Sequence, residues 1–235
     1  MGNIWTVCSG NGGVGKTTIA LSIAAGAAKA GKKTILLDAS GISRSCDLAL
    51  GLESMLTLDL KDVMQRQVHM EAALYPVARY AGLSIACASL HDQTPVSDLS
   101  AMILALHSLC DILVIDMPTG QCSLGRGVMR DGDRLLFVTR PDNASIRSTE
   151  RLMMSSADAA LKELVINRIS RDRVKRKNQY PQTTVESLLD LPALACIPED
   201  SSIPECEFRA RAAIECSGPA KSALNALTKS LLSGA

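Results

Sequence analysis

The chain has 235 residues, a length that suits one sizeable α/β domain with a hydrophobic core. Hydrophobic residues make up 47%, which excludes an intrinsically disordered chain, and aromatic residues make up only 3%, so the core must be aliphatic. The formal net charge is +1, which excludes a global electrostatic attraction to nucleic acid or to an anionic membrane.

Predicted strands and helices alternate along the whole chain. The predicted strands are Ile4–Cys8, Thr34–Leu37, Leu83–Ala88, Ile112–Ile115, Arg134–Thr139, Leu164–Asn167 and Ala193–Ile197. The predicted helices are Lys16–Ala30, Ser100–Cys110, a helix after Thr139 that runs to about Asp158, and Ala220–Leu232. Continuously apolar strands that alternate with helices indicate a doubly wound, mostly parallel sheet with helices on both faces. One domain over residues 1–235 is the simplest organisation.

The eight cysteines do not occur as C-x-x-C pairs, which disfavours a structural zinc or iron–sulfur site. No secretory signal precedes the first strand, and no apolar stretch is long enough to span a membrane. These features predict a cytoplasmic protein, with a peripheral position at the inner face of the plasma membrane left open.

A glycine-rich segment follows the first predicted strand and leads into the first helix. Its residues Gly10, Asn11, Gly12, Gly13, Val14, Gly15, Lys16 and Thr17 fit G-x-x-x-x-G-K-[ST], and Thr18 extends the segment. The glycines let main-chain N–H groups turn toward phosphate oxygens, and the helix adds its positive dipole end. Lys16 supplies a charge for the β- and γ-phosphates, and the Thr17 hydroxyl is placed to ligate Mg²⁺. The segment therefore predicts a nucleotide triphosphate site.

Asp116 ends the apolar strand in L-V-I-D-M-P-T-G, a Walker B-like position. Such a residue alone could equally be a helix cap or a surface residue. Beside a phosphate cradle, at the carboxyl edge of a parallel sheet, its carboxylate is predicted to hold the Mg²⁺ water shell.

Further motifs follow the strand ends in chain order. They are S-G-N-G-G-V-G-K-T-T at Ser9–Thr18, L-L-D at Leu36–Asp38, D-L-A-L-G-L at Asp47–Leu52, D-M-P-T-G at Asp116–Gly120, T-R-P-D at Thr139–Asp142, I-N-R at Ile166–Arg168 and I-P-E-D at Ile197–Asp200. In this order they resemble the MinD/ParA family of P-loop ATPases, and its MinD branch most closely, over nearly the whole chain.

The resemblance implies a set of site residues. Thr17, Asp38 and Asp116 would support Mg²⁺, and the expected catalytic residues are Lys16, Asp38 and Asp116. Gly120 would lie in the switch that senses the γ-phosphate. The adenine and ribose would lie near Asn167, Arg168, Pro198, Glu199 and Asp200. Such proteins bind ATP and Mg²⁺, dimerise across two nucleotides, and hydrolyse ATP when a protein partner stimulates them.

Three positions depart from the MinD pattern. Asn11 stands where the family carries a lysine that crosses the dimer interface to the partner's phosphates. Ser40 stands where an aspartate usually organises the attacking water, and serine is a far poorer base. Arg147 and Ser148 stand where an aspartate next to an arginine is common. Loss of a cation acting in trans costs on the order of a thousandfold in phosphoryl transfer, so we expect slow hydrolysis unless another cation substitutes. The candidate substitutes are Arg126, Arg130 and Arg140.

The C-terminal helix and one charged run bear on membrane and DNA contacts. The helix has leucines near one face, only Lys221 and Lys229 as cations, and no Phe or Trp, so a final core helix is favoured over a membrane anchor. The run Arg168–Lys177 is interpreted as a solvated loop, with a docking patch as the alternative. Membrane contact is expected to be weak or indirect, and DNA binding is the minority alternative.

Three functions remain open from the sequence. The first is an ATP-dependent spatial regulator in division, in flagellar or pilus positioning, or in partitioning. The second is a non-hydrolysing adaptor of a secretion or pilus assembly, which Asn11 and Ser40 favour. The third is a metal-insertion or cluster-carrier ATPase of the same fold, against which the lack of C-x-x-C counts.

Overall fold

One eight-stranded sheet runs through the part of the chain that the computed structural model describes, residues 3–40, 45–65, 67–87, 99–122, 132–156 and 161–234. Its strands are β1 Asn3–Cys8, β2 Thr34–Asp38, β3 Tyr75–Pro76, β4 Leu83–Cys87, β5 Ile112–Asp116, β6 Arg134–Thr139, β7 Leu161–Ile169 and β8 Ala193–Pro198. Their order is β3-β4-β2-β5-β1-β6-β7-β8, and all neighbours are parallel except β3 and β4. The predicted mostly parallel sheet is confirmed.

Helices occupy the connections between the strands. Within the described ranges they are α1 Lys16–Lys29, α2 Ser45–Leu50, α3 Leu60–Met64, α4 Leu99–Ser108, α5 Asn143–Met154, α6 Arg171–Lys175, α7 Gln182–Leu189, α8 Ile203–Phe208 and α9 Ala220–Ser233, with 3-10 turns at Met70–Ala73 and Ala213–Glu215. Among them none combines the length and the apolar character that a bilayer crossing requires.

The two faces of the sheet bury separate aliphatic cores because successive residues of a strand point to opposite sides. In β5, Ile112 and Val114 pack with α1 and α9, whereas Leu113 and Ile115 pack with α4. Helices therefore cover both faces, which confirms the doubly wound α/β class.

Two predicted boundaries were wrong by more than two residues. Strand β7 begins at Leu161, three residues before the predicted Leu164, because its partly exposed first residues pair with β6 and carry no continuous apolar signal. Helix α5 ends at Met154, short of the predicted Asp158, which lies outside the described residues. The Ser155 and Ser156 hydroxyls donate to main-chain carbonyls of the preceding turn, an arrangement that competes with further helix.

The run Arg168–Lys177, interpreted from the sequence as a solvated loop, contains the short helix α6. The hydroxyl of Ser170 caps this helix by accepting from the main-chain N–H of Arg173. No residue of α6 is buried, so the expected solvation is correct and the expected loop is wrong in part.

Helix α9 packs into the core against α1, as expected of a final core helix. Leu224, Leu227 and Leu231 are buried. The two helices meet closely at Gly26, where an added Cβ would lie 2.8 Å from side-chain atoms of Ile214 and Thr228. The apolar face of α9 is thereby covered by the protein's own core.

Strand register brings distant residues to one edge of the sheet. Asp38, the last residue of β2, pairs with Asp116, the last residue of β5. Asp116 also pairs with Val7 of β1, just before the glycine-rich segment. The sequence predicted this meeting, because the carboxyl ends of parallel strands share one edge.

Candidate functional site

The glycine-rich loop curls through left-handed backbone at Gly13 and Gly15, where φ is 70° and 95°. Gly15 is the N-cap of α1 and offers no side chain of its own. The main-chain N–H groups at the start of α1 therefore remain available to an anion. An added Cβ at Gly12 or Gly13 would meet no atom of the described residues within 4 Å, so the loop is open toward that side in the described part of the chain.

Two close contacts fix the loop against the rest of the fold. A Cβ added at Gly10 would overlap the main-chain carbonyl of Ser148 on α5, and one at Gly15 would overlap the Asn167 amide. Asn167 is 3% exposed, and its Nδ2 donates to the Val14 carbonyl at 2.7 Å. Asn167 thus braces the phosphate loop, while its role toward adenine stays a prediction.

Thr17 and Asp116 are joined directly. The Thr17 hydroxyl donates to Asp116 Oδ2 at 2.6 Å and lies 3.0 Å from the Ser45 hydroxyl of α2. Asp116 is fully buried, and its other carboxylate oxygen, Oδ1, has no hydrogen-bond partner among the residues that the structure describes. A buried carboxylate oxygen without a partner is costly, so this site is suited to a cation.

The pKa of Asp116 is raised to about 6, because burial and the negative charge of Asp38 together outweigh the lowering effects of the Thr17 hydroxyl and the Lys16 ammonium. The oxygen donors of Thr17, Asp38 and Asp116 are of the kind that Mg²⁺ prefers. The residues present therefore fit the predicted Mg²⁺.

Asp38 is held by main-chain and side-chain donors. Its Oδ1 accepts from the Ser40 N–H at 2.9 Å and from the Ser40 hydroxyl, and its Oδ2 accepts from the Cys46 N–H at 3.1 Å. The Ser40 hydroxyl is therefore directed at a carboxylate, and its neutral oxygen brings no negative charge to the site.

A cavity of about 330 Å³ lies beside the start of α1. It is lined by Thr18, Asn167, Arg168, Glu199, Asp200, Ser201, Ile203, Pro204 and Glu207. Five of these lining residues were predicted from the sequence to contact the nucleotide, and the structure brings them together. Pro198 lies apart from the lining, at the end of β8, where it pairs with Ile169.

Asp200 has a structural task within the fold. Its carboxylate accepts from the main-chain N–H groups of Ser202 and Ala220, each at 2.9 Å, and so ties β8 to the start of α9. Burial raises the pKa of Asp200, but these hydrogen bonds and that of the Ser202 hydroxyl outweigh burial and hold the pKa below its usual value. Its contact with a nucleotide stays a prediction.

Sequence reasoning missed the side chains that α2 and α8 bring to the site. Cys46 and Ser45 come from α2, and Glu207 of α8 accepts from the Thr18 hydroxyl at 2.6 Å. Both helices have six residues, too few for a helical repeat to stand out. The Pro204 at the start of α8 was the available signal.

Of the remaining predicted residues, Gly120 and Asn11 contact Ser9, just before the phosphate loop. Gly120 is exposed, has φ of 81°, and donates its N–H to the Ser9 carbonyl at 2.8 Å. The Asn11 carbonyl accepts from the Ser9 hydroxyl at 2.9 Å. Arg140 is paired with Asp142 at 3.2 Å, and the other two candidate cations, Arg126 and Arg130, lie outside the described residues.

The family model of the CobQ/CobB/MinD/ParA nucleotide binding domain matches residues 5–213, which include the loop, both aspartates and the cavity. The chain belongs to this family. The resemblance to MinD/ParA proteins that the motifs indicated is thereby confirmed, and the chain is a MinD-like member of that family of ATPases.

Individual relatives agree with this assignment. The chain is 29% identical to the septum site-determining protein MinD of Helicobacter pylori, over 99% of this chain and 91% of that protein. It superposes on the MinC:MinD cell division protein complex of Aquifex aeolicus with a TM-score of 0.85 at 27% identity, covering 98% of this chain and 96% of that one. It shares the fold of MinD from Pyrococcus horikoshii complexed with Mg-ADP, with a TM-score of 0.84, 24% identity, and coverage of 98% and 96%.

Proposed function

We propose that the chain is a Mg²⁺- and ATP-dependent molecular switch with slow hydrolysis that acts in spatial positioning, as in cell division. The observation that carries this proposal is the open glycine-rich loop beside Thr17 and the buried Oδ1 of Asp116, to which no described residue donates a hydrogen bond. Main-chain N–H groups that can bind phosphate lie next to a carboxylate that can bind Mg²⁺, and Mg-ATP requires both.

Each part of the nucleotide has a proposed position. The main-chain N–H groups of Gly10–Thr18 and the Lys16 ammonium would hold the phosphates. Thr17, Asp38 and Asp116 would hold the Mg²⁺, which when bound neutralises charge on the phosphate oxygens. The base and ribose would occupy the cavity that includes Arg168 and Glu199. Glu207 also lines this cavity and accepts a hydrogen bond from the Thr18 hydroxyl.

Slow hydrolysis follows from two side chains. Asn11 is neutral and shorter than lysine, so it cannot place a cation on the phosphates of a partner subunit. Ser40 donates to Asp38 and is a poor base for an attacking water. Ser148, at the third position that departs from the MinD pattern, lies against Gly10, the neighbour of Asn11. This contact supports the view that the departures at Asn11 and Ser148 are coordinated.

The partners follow from the same features. We propose a nucleotide-dependent homodimer and a protein partner, since a relative forms a MinC:MinD complex. Because the apolar face of α9 is buried in the core, membrane contact through that helix is proposed to be weak or indirect. The non-hydrolysing adaptor is the second candidate, and Asn11 and Ser40 favour it.

The experiment is a measurement of phosphate release at saturating Mg-ATP. We expect slow release from the unmodified protein and faster release from the double variant Asn11→Lys plus Ser40→Asp. Lys16→Ala is the control, because it removes the phosphate-binding ammonium and should abolish release from both backgrounds. Brisk turnover by the unmodified protein would contradict slow hydrolysis, and the absence of any ATP or ADP binding would overturn the switch.

A further inference from the structure

A thiol shares the buried pocket of the two aspartates. Asp38, Cys46 and Asp116 are 1%, 0% and 0% exposed. One ligand atom from each lies within 4.8 Å of the others, and Cys46 Sγ is 3.6 Å from Asp116 Oδ2. These three side chains are called the acid–thiol cluster below.

The start of α2 fixes the thiol in this position. The Cys46 N–H donates to Asp38 Oδ2, and the hydroxyl of the preceding Ser45 lies 3.0 Å from that of Thr17. Two adjacent residues of α2 therefore contact β2 and the phosphate loop, and the thiol is directed between the carboxylates. Its position follows from these two specific contacts.

The carboxylates supply a separate reason to expect a cation. Asp116 Oδ1 is buried and has no hydrogen-bond partner within the described part of the chain, and Asp38 lies beside Asp116 in the sheet register. Two neighbouring buried carboxylates repel each other unless a positive charge compensates them. Oxygen donors alone accept any hard divalent cation, but a sulfur donor changes the preference of the site.

We propose that the acid–thiol cluster binds a thiophilic divalent cation, of which Zn²⁺ is the type, in the nucleotide-free protein. Tetrahedral zinc with sulfur and oxygen ligands places those ligand atoms about 3.5 Å apart. The Cys46 Sγ to Asp116 Oδ2 distance of 3.6 Å already meets this spacing. The cluster supplies three protein ligands, and a water or the Thr17 hydroxyl completes the coordination.

Binding is a ligand exchange without a redox step. The Cys46 S–H bond breaks, its proton passes to water, and the sulfur lone pair forms the bond to the metal. The two carboxylates and the thiolate together offset the divalent charge. Because this position overlaps the one proposed for Mg²⁺, the thiophilic cation and Mg-nucleotide should exclude each other.

The test is a Co²⁺ titration of the reduced, chelator-treated, nucleotide-free protein followed by absorption spectroscopy. Co²⁺ replaces Zn²⁺ and gives a sulfur-to-metal charge-transfer band when a thiolate binds it. We expect this band in the unmodified protein and its loss in Cys46→Ser. Cys216→Ser is the matched control, because Cys216 is a buried thiol that also lies beside an aspartate, Asp200, but is outside the cluster, so its variant should keep the band.

A second measurement quantifies the sulfur ligand. Competition with a chromophoric chelator should show Zn²⁺ bound at least about tenfold more weakly by Cys46→Ser, since loss of even an outer-sphere partner can have that effect. Circular dichroism checks that the variant is folded. No sulfur band in the unmodified protein, or an equal band in Cys46→Ser, would overturn the inference.

The switch itself is tested separately from this inference. Binding of Mg-ADP by calorimetry to the metal-free protein reports on the phosphate loop and does not require Cys46 sulfur. Mg-ADP binding without a sulfur-to-cobalt charge-transfer band would contradict the thiophilic site and would still support the proposed function. A Co²⁺ band without any nucleotide binding would do the reverse.

Discussion

At the scale of single residues, the buried carboxylate of Asp116 lowers the folding stability of the nucleotide-free protein, although the proposed metal site needs it. Asp116 is buried beside Asp38, one of its oxygens has no partner among the described residues, and burial together with the charge of Asp38 raises its pKa to about 6. A group whose pKa is raised on folding favours the folded state when protonated, and this advantage is lost as the pH rises through the folded pKa. The ionised Asp116 is therefore a destabilising group in the nucleotide-free protein.

We predict that Asp116→Asn stabilises the nucleotide-free protein at neutral and alkaline pH. The gain should approach about 3 kcal/mol above pH 6, for a shift of about two pKa units, and disappear below about pH 4, where both side chains are neutral. Urea unfolding at several pH values measures it. An equal difference between variant and wild type at acid and alkaline pH would contradict the prediction.

The glycines of the phosphate loop are not equivalent, and a matched pair of variants separates their roles. Gly10→Ala should cost about 1–3 kcal/mol of unfolding free energy, because the new Cβ overlaps the Ser148 main chain, which cannot move aside cheaply. Gly12→Ala should leave stability nearly unchanged, since its Cβ would lie within 4 Å of no atom in the described ranges. Denaturant unfolding of both variants tests this, and equal costs would refute it.

At the scale of elements, the last helix of the described chain, α9, packs on the first helix, α1. Its apolar residues line one side and face the core, and its first turn is tied to β8 through Asp200. Close approach at Gly26 makes this helix pair dense. The helix therefore acts as a structural element of the core.

Truncation of one buried leucine in α9 should show this directly. Leu224→Ala is expected to lower the unfolding free energy by about 2–5 kcal/mol, because it leaves a cavity in a packed core. Ser222→Ala, on the exposed side of the same helix, should change it by less than about 0.5 kcal/mol. Chemical denaturation compares the two, and a tolerated Leu224→Ala would mean that α9 is not docked.

At the scale of the whole molecule, nucleotide binding and folding are linked. A ligand that binds only the folded state stabilises it by about 2.7 kcal/mol at a hundred times its dissociation constant. The site joins β1, β2, β5 and α1, the centre of the sheet. Nucleotide should therefore stabilise the molecule globally.

Mg-ATP is predicted to raise the melting temperature of the whole protein by several degrees, as expected from about 2–4 °C per kcal/mol at this size. Lys16→Ala should abolish the rise, because the phosphate charge loses its ammonium partner. Differential scanning fluorimetry measures this rise in melting temperature.

Size-exclusion chromatography of the same samples should show a larger species with Mg-ATP than without nucleotide, and an unchanged elution volume would contradict the proposed dimer.

The sequence by itself determined what is local or periodic. The phosphate loop is a contiguous segment, so its spacing identified Lys16 and Thr17 without knowledge of the fold. The apolar strands gave the sheet class, and Asp116 and Asp38 could be placed at its carboxyl edge because parallel strands end together. Short helices such as α2 and α8 escaped prediction because six residues hold too little periodicity.

Only the tertiary structure decided which distant side chains meet. The brace from Asn167 to Val14 joins residues 153 positions apart, and Glu207 reaches Thr18 across 189 positions. The thiol of Cys46 joins Asp116 across 70 positions. Such pairings depend on strand order and on the direction of short helices, which arise from packing of the entire chain and leave no periodic trace in its sequence.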